Sequence, residues 1–375
     1  MKKIDQIKRN TPLSRIAILL FILIFISTGC DKLQEEFPDF FPENPRQLKD
    51  YRQVDLVANT AAYDAARVDP TLINAWGITF SPGGVIWPTA EGTGLSYLYN
   101  QDGDELRGPV TIPSPTSETG GHPTGIVFNG SSGFQLPNGQ PARFIFVGAD
   151  GVISGWNGGD AAVKMIDNSS SAAYTGLAIA SDEGETYLYA ANYRERKIEV
   201  YDSEFNEVSD MLFMDPAIPA GYAPFNIQNV GDRLYVTYAK VAASGKDEAG
   251  LGNGYVNIFY PDGNLERRFA SKGVLNSPWG IAQAPDGFID DGSNNSAAFR
   301  NVILVGNFGD GRINAYTANG KFIGQLRDDD SPIAIDGLWA IAFPPSTATT
   351  IDQNRLYFAA GPDEETDGLF GYITK

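Results

Sequence analysis

SPWGIAQAPDG (277–287), NVILVGN (301–307) and RINAYTANG (312–320) form one unit of this sequence. Each is a short apolar run bounded by Gly, Asn or Asp, the mark of a β-strand closed by a turn. The first run returns as NAWGITFSPGG from Asn74, HPTGIVFNGSSG from His122, AYTGLAIASDEG from Ala173, APFNIQNVGD from Ala223 and DGLWAIAFPPS from Asp336. The period is about 50 residues, in the range of solenoids and propellers. A second run follows each copy: LSYLYN, ARFIFVGA, TYLYAAN, RLYVTYA, NVILVGN and RLYFAAG. Several copies add a third, such as GVISGWN, KIEVYDS, YVNIFYPDG and LFGYIT. Each repeat has room for a fourth strand. Six units of four antiparallel strands predict an all-β, six-bladed β-propeller. Its last blade lacks an outer strand, which YRQVDLVAN (51–59) is placed to supply, closing the ring and removing two sheet edges.

Composition agrees. The chain has 375 residues, 42% of them apolar and 12% aromatic, ample for a large core. A formal net charge of −18 repels phosphate backbones, which excludes nucleic acid as a partner. One cysteine and one histidine rule out an internal disulfide, a Cys-rich zinc site and any site that needs two histidines.

The N-terminus has a different character. Lys2, Lys3, Lys8, Arg9 and Arg15 precede an unbroken apolar run from Ile16 to Ile26. That run is about 11 residues, against about 20 for a spanning helix, so it is expected to be a secretory signal over 1–29. Ser27, Thr28 and Gly29 lead directly into Cys30. Residues 30–50 are proline-rich and charged, and are expected to be a flexible tether. The folded domain is expected over 51–375.

The repeat residues divide into packing and contact roles. Gly77, Gly125, Gly176 and Gly280 recur at inner-strand positions, where a residue without Cβ lets crowded strands approach. Trp76, Trp279 and Trp339 precede inner strands and so belong near one mouth of the channel, as blade packing or as an aromatic recognition surface. The turns between second and third strands open on that mouth. Asn192, Tyr193, Arg194, Asn307, Asp310, Arg312, Asp363 and Glu364 in these turns, with His122, are the candidate binding residues. Each also fits ordinary turn chemistry, and it is their shared face that points to a site.

Resemblance to known families adds to this reading. STGC at 27–30 resembles a bacterial lipobox, with Ser27 where leucine is usual, and DKLQEE after it resembles a Bacteroidetes-type surface-export signal. This implies cleavage before Cys30 and lipid on its sulfur and new amine. GNFGDGRINAY (306–316), SPWGIAQAP (277–285), IDGLWAIAF (335–343) and GNGYVNIFYPDGNL (252–265) resemble segments of an uncharacterised family of secreted bacterial β-propellers, some with a PEP-CTERM sorting tail. The resemblance spans Tyr51 to Thr374 and implies the propeller fold and export. It supplies no substrate and no catalytic residues. The sorting tail is missing here, so the lipobox takes over anchoring, and WPTAEGTG (87–94) replaces an acidic and Asn pair of the relatives.

No catalytic constellation emerges. His122 has no GxSxG elbow beside it. NQDGDE (100–105) and DEETDG (363–368) depart from calcium-loop spacing. No cofactor is predicted. By analogy with lactonase-type propellers, Asn74, Asn226, Asn307 and Asp336 are positions from which a divalent cation in the channel would draw ligands. The function expected is therefore a lipid-anchored binding or scaffold module of the cell envelope, periplasmic or surface-exposed. It would be held at the outer membrane and take a glycan, peptide or protein at the channel mouth. The alternative is a metal-dependent hydrolase, lactonase or lyase.

Overall fold

The computed structural model describes residues 45–290 and 299–375. The expected signal segment, Cys30 and the tether up to residue 44 lie outside the described residues. The compact unit runs from Arg46 to Lys375.

Six antiparallel sheets form the blades of a β-propeller. Blade one comprises Ala75–Phe80, Ile86–Ala90, Leu95–Tyr99 and Glu105–Thr111, paired in that order. Blades two to five repeat the plan, with inner strands Pro123–Phe128, Tyr174–Asp182, Tyr222–Val230 and Pro278–Gln283. Blade six takes Leu338–Ala342, Leu356–Ala360 and Leu369–Thr374, and its outer strand is Arg52–Ala58, antiparallel to Leu369–Thr374. The N-terminal strand therefore closes the ring, as the repeat predicts. A short strand, Arg67–Val68, extends this blade in parallel.

Two details differ from the sequence reading. LSYLYN is the third strand of blade one, not the second. The second is Ile86–Ala90, where Pro88 interrupts the apolar pattern and masks a strand. The end of the expected tether is also part of the folded unit. Leu48 is fully buried, and Arg46 and Leu48 exchange backbone hydrogen bonds with Ile323 and Arg327.

Inner strands meet through the repeated glycines. A Cβ on Gly77 would lie 2.4 Å from the Thr124 carbonyl oxygen, one on Gly125 2.7 Å from the Leu177 nitrogen, and one on Gly280 2.8 Å from the Ile341 side chain. None of these glycines needs a left-handed φ, so close approach is the reason for them. Blade four has Asn226 at this position. Its carboxamide oxygen fills the place beside Gly176, 2.1 Å from where a Cβ would stand, and its Nδ2 donates to the Trp279 carbonyl at 2.8 Å.

Every inner strand also carries a register shift at this point: Ala75/Ile78, Pro123/Gly125, Tyr174/Gly176, Pro224/Asn226, Pro278/Gly280 and Leu338/Ile341. A bulge re-aims the side chain it carries. The residues involved are Trp76, Thr124, Thr175, Phe225, Trp279 and Trp339, so the floor of one mouth is aromatic on four blades and Thr-lined on two.

Candidate functional site at the channel mouth

The floor is a stack of rings. Trp339 lies 3.5 Å from Trp76, nearly parallel at 13°, and 3.9 Å from Phe308 at 22°. Two rings stacked on one indole must take opposite faces, so Trp339 is the middle of a sandwich. Trp279 meets it edge-on at 6.0 Å, Phe225 packs at 5.6 Å, and Tyr193 lies 5.2 Å from Phe225. Trp76, Trp279, Trp339, Tyr193 and Phe225 are buried, whereas Phe308 remains partly exposed. The cavity beneath, between Asn226, Trp279 and Ile341, is only about 20 Å³, enough for about one water.

Polar groups above this floor are organised by Asn74. It sits at the start of the first inner strand with φ of 49°, a left-handed conformation that Asn tolerates. Its Oδ1 accepts from Trp339 Nε1 at 2.9 Å. Its Nδ2 donates to Glu91 Oε2 at 3.0 Å and to Glu365 Oε2 at 3.3 Å. Glu91 Oε1 then meets His122 Nδ1 at 2.8 Å, and Glu365 Oε1 lies 3.5 Å from Lys246 Nζ. One amide thus joins a carboxylate of blade one to a carboxylate of blade six, flanked by an imidazole and an ammonium.

The two carboxyls titrate in opposite directions. Burial opposes ionisation of Glu91, but hydrogen bonds from His122 and Asn74 outweigh it and hold its carboxyl below the usual range. Burial raises Glu365, and Lys246 only partly offsets that. The hydrogen bond to Glu91 pushes His122 up. Asp150, which faces His122, is also raised by burial. Such a split between neighbouring acids is characteristic of functional sites.

Glu365 is held by an unusual turn. Asp363, Glu364 and Glu365 take φ of 54°, 56° and 70°, three successive non-glycine residues in left-handed conformation. The Asp363 backbone N–H donates to Asp336 Oδ2 at 3.0 Å, and Thr366 Oγ1 donates to the Asp363 carbonyl at 2.7 Å. Side chains there cost about 1–2 kcal/mol per residue, and such strain concentrates at functional sites.

The remaining predicted residues are placed as follows. Asn192 is buried and ties its turn to the neighbouring strands, accepting from Ala173 and Glu195 backbone N–H groups and donating to Glu199. Arg194 is exposed and reaches the Ser169 carbonyl at 3.4 Å. Asn307 donates to the Val274 carbonyl and to Asp310, whose carboxylate also accepts from the Arg312 backbone N–H. Arg312 and Glu364 are exposed. Asn74, Asn226, Asn307 and Asp336, the positions suggested for a cation, each have a different hydrogen-bond partner: Trp339 with the two glutamates, the Trp279 carbonyl, the Val274 carbonyl, and the Asp363 N–H. Among the described residues, no group of three or more His, Cys, Asp or Glu side chains is placed to hold a metal ion. No helix among them is long and apolar enough to cross a membrane.

Glu91, Glu365, Lys246 and Phe308 were not singled out from sequence. AEGTG and DEETDG mark the first two as turn residues, but only ring closure brings those turns together.

The fold defines the protein as a six-bladed β-propeller. No family model matches the chain. It is 34% identical over 350 residues to the uncharacterized protein R648 of Acanthamoeba polyphaga mimivirus, covering 89% of this chain and 83% of that protein. It is also 34% identical over 360 residues to the uncharacterized protein L690 of the same virus, covering 89% and 88%. The chain belongs to the family of these two proteins. Among solved structures it is similar to a protein of unknown function from Bacteroides thetaiotaomicron, with a TM-score of 0.53, 10% identity, and 88% and 84% of the two chains covered. It is similar also to the α-L-arabinofuranosidase Arb93A of Fusarium graminearum, with a TM-score of 0.51, 10% identity, and 86% and 97% covered. These likenesses concern the fold alone.

Proposed function

We propose that this propeller is an exported binding module, tethered through lipid on Cys30, that takes its ligand at the aromatic mouth. The Glu91–Asn74–Glu365 bridge carries this reading. It is a pair of carboxylates, each retaining free lone pairs, held by the amide that also accepts from Trp339, on which the partly exposed Phe308 stacks. Carboxylates beside an aromatic face suit a ligand that presents an amino or guanidino group next to a flat apolar surface. The bacterial envelope setting rests on the N-terminal sequence, whereas the relatives above are viral.

A second reading has its own support. Two acids on one amide, one lowered and one raised, also fit a general base and a general acid of a hydrolase or lyase. Titration calorimetry of the full chain with spermidine, arginine-rich and aromatic-lysine peptides, and neutral peptides of equal length tests the first reading. Cationic ligands should bind, and Glu91→Gln with Glu365→Gln should abolish that binding. Failure of every cationic ligand, or binding unchanged in the double variant, overturns it.

A further inference from the structure

The opposite end of the channel holds a second, chemically different cleft of about 570 Å³. It lies where residues 228–231 of blade four, 281–285 of blade five and 342–346 of blade six converge. Gln228, Ile281 and Ala342 line both it and the narrow channel, so the cleft continues the axis. Its size falls within the range of small-ligand sites, about 300–1,000 Å³.

Among the described residues its lining contains no ionisable side chain, in a chain in which 20% of residues are charged. The polar groups are largely carboxamides: Gln228, Asn229, Gln283 and Gln353. The Gln228 side chain has no hydrogen-bond partner among the described residues, and the other three side chains use only their NH₂ groups, toward Ile179, Asn301, and Ala348 with Ile351. Their carbonyl oxygens are left as acceptors. A partly exposed ring, Phe343, adds an apolar surface, set edge-to-face on buried Phe288 at 4.8 Å.

We infer that this cleft binds a neutral oligosaccharide. A carboxamide both donates and accepts, which matches a hydroxyl in either role. Aromatic and proline surfaces match the C–H face of a sugar ring. An uncharged lining gives a carboxylated or sulfated sugar no counter-charge, so burial would leave its charge unpaired, and the −18 net charge repels it further. This site is separate from the aromatic mouth and independent of its proposed ligand.

The test uses the full chain and a panel of linear hexasaccharides, with gluco-, xylo-, manno- and arabino-configured neutral members and uronic-acid members. Binding is followed by calorimetry and saturation-transfer NMR. At least one neutral hexasaccharide should bind at submillimolar concentration, and uronic-acid sugars should not. Gln228→Ala and Gln283→Ala should each weaken binding at least about fivefold, as expected for a lost ligand hydrogen bond, with melting temperatures unchanged. No neutral member binding at millimolar concentration overturns the inference. So does equal binding of uronic-acid sugars, binding unaffected by both substitutions, or selective binding of neutral peptides instead.

Discussion

Glu199 and Glu365 are both glutamates among hydrogen-bond donors, yet they are treated oppositely. Glu199, in blade three, is 6% exposed and accepts from Tyr174 at 2.6 Å, Asn192 at 2.7 Å and Tyr201 at 2.8 Å, with Lys197 at 3.1 Å. Asn168 in turn donates to both tyrosine hydroxyls. Burial opposes ionisation of Glu199, but this set of donors holds its carboxyl below the usual range. Glu365, in blade six, has a side chain 28% exposed, two long contacts of 3.3 and 3.5 Å, a left-handed backbone and a raised carboxyl. A fully satisfied network fixes a structure. A carboxylate held in place but poorly satisfied is preorganised for something else to complete it. The difference separates acidic residues that hold the ring together from those available to a ligand.

Glu199→Ala is the strongest way to break this comparison. It leaves two tyrosine hydroxyls and Asn192 without their shared acceptor, and is expected to cost about 3 kcal/mol. Glu365→Ala should stay within about 0.5 kcal/mol of the parent, as a substitution outside any satisfied network. Urea unfolding at neutral pH measures both. Equal losses would mean that Glu365 is structural too, and the mouth would lose its claim as a site. The strain provides a sharper cut. Glu364→Gly keeps the left-handed turn without its steric cost and should stabilise the fold by about 1 kcal/mol. A loss of stability would show that Glu364 makes a contact the turn depends on.

The ring was legible because the strand pattern repeats six times, so that copies lacking one signal are covered by others. Blade one shows the limit, since Pro88 hides its second strand. The repeated glycines announced close packing, and Gly176 beside Asn226 shows that the rule holds even where the partner is not glycine. Bulges left no such mark, because a register shift depends on the neighbouring strand. The site was less legible for a related reason. Trp76, Trp339 and His122 are visible as repeat positions, but the Asn74 bridge joins the first blade to the last, and no local pattern encodes it. Nor do Asp363, Glu364 and Glu365 advertise positive φ, since the usual signal for that is glycine. Asn192 and Asn307 look like contact residues in sequence, and in the structure their side chains tie their turns to neighbouring segments, at Ala173 and Glu199 for the first and at Val274 for the second.

The smallest expected effect concerns His122, and its sign is fixed by the shifts at the mouth. Glu91 pushes the imidazole above its ordinary 6.5. That contribution to stability is fully present below 6.5 and is lost as pH rises through the higher folded value. Glu91 is lowered from 4.5, so its contribution is present above 4.5 and is lost as pH falls through the lower folded value. The pair therefore stabilises most between pH 4.5 and 6.5. With the imidazole 52% exposed, solvent screening limits the effect to less than about 1 kcal/mol. His122→Gln should thus lower stability at pH 5.5, and the gap to the parent should shrink toward zero in alkaline buffer. Added salt should narrow the gap at pH 5.5, because the contact is solvent-facing. A gap that is the same in acid and alkali would mean that His122 acts as an uncharged hydrogen-bonding group. The mouth would then be more acidic than this arrangement implies, which would strengthen its preference for a cationic ligand.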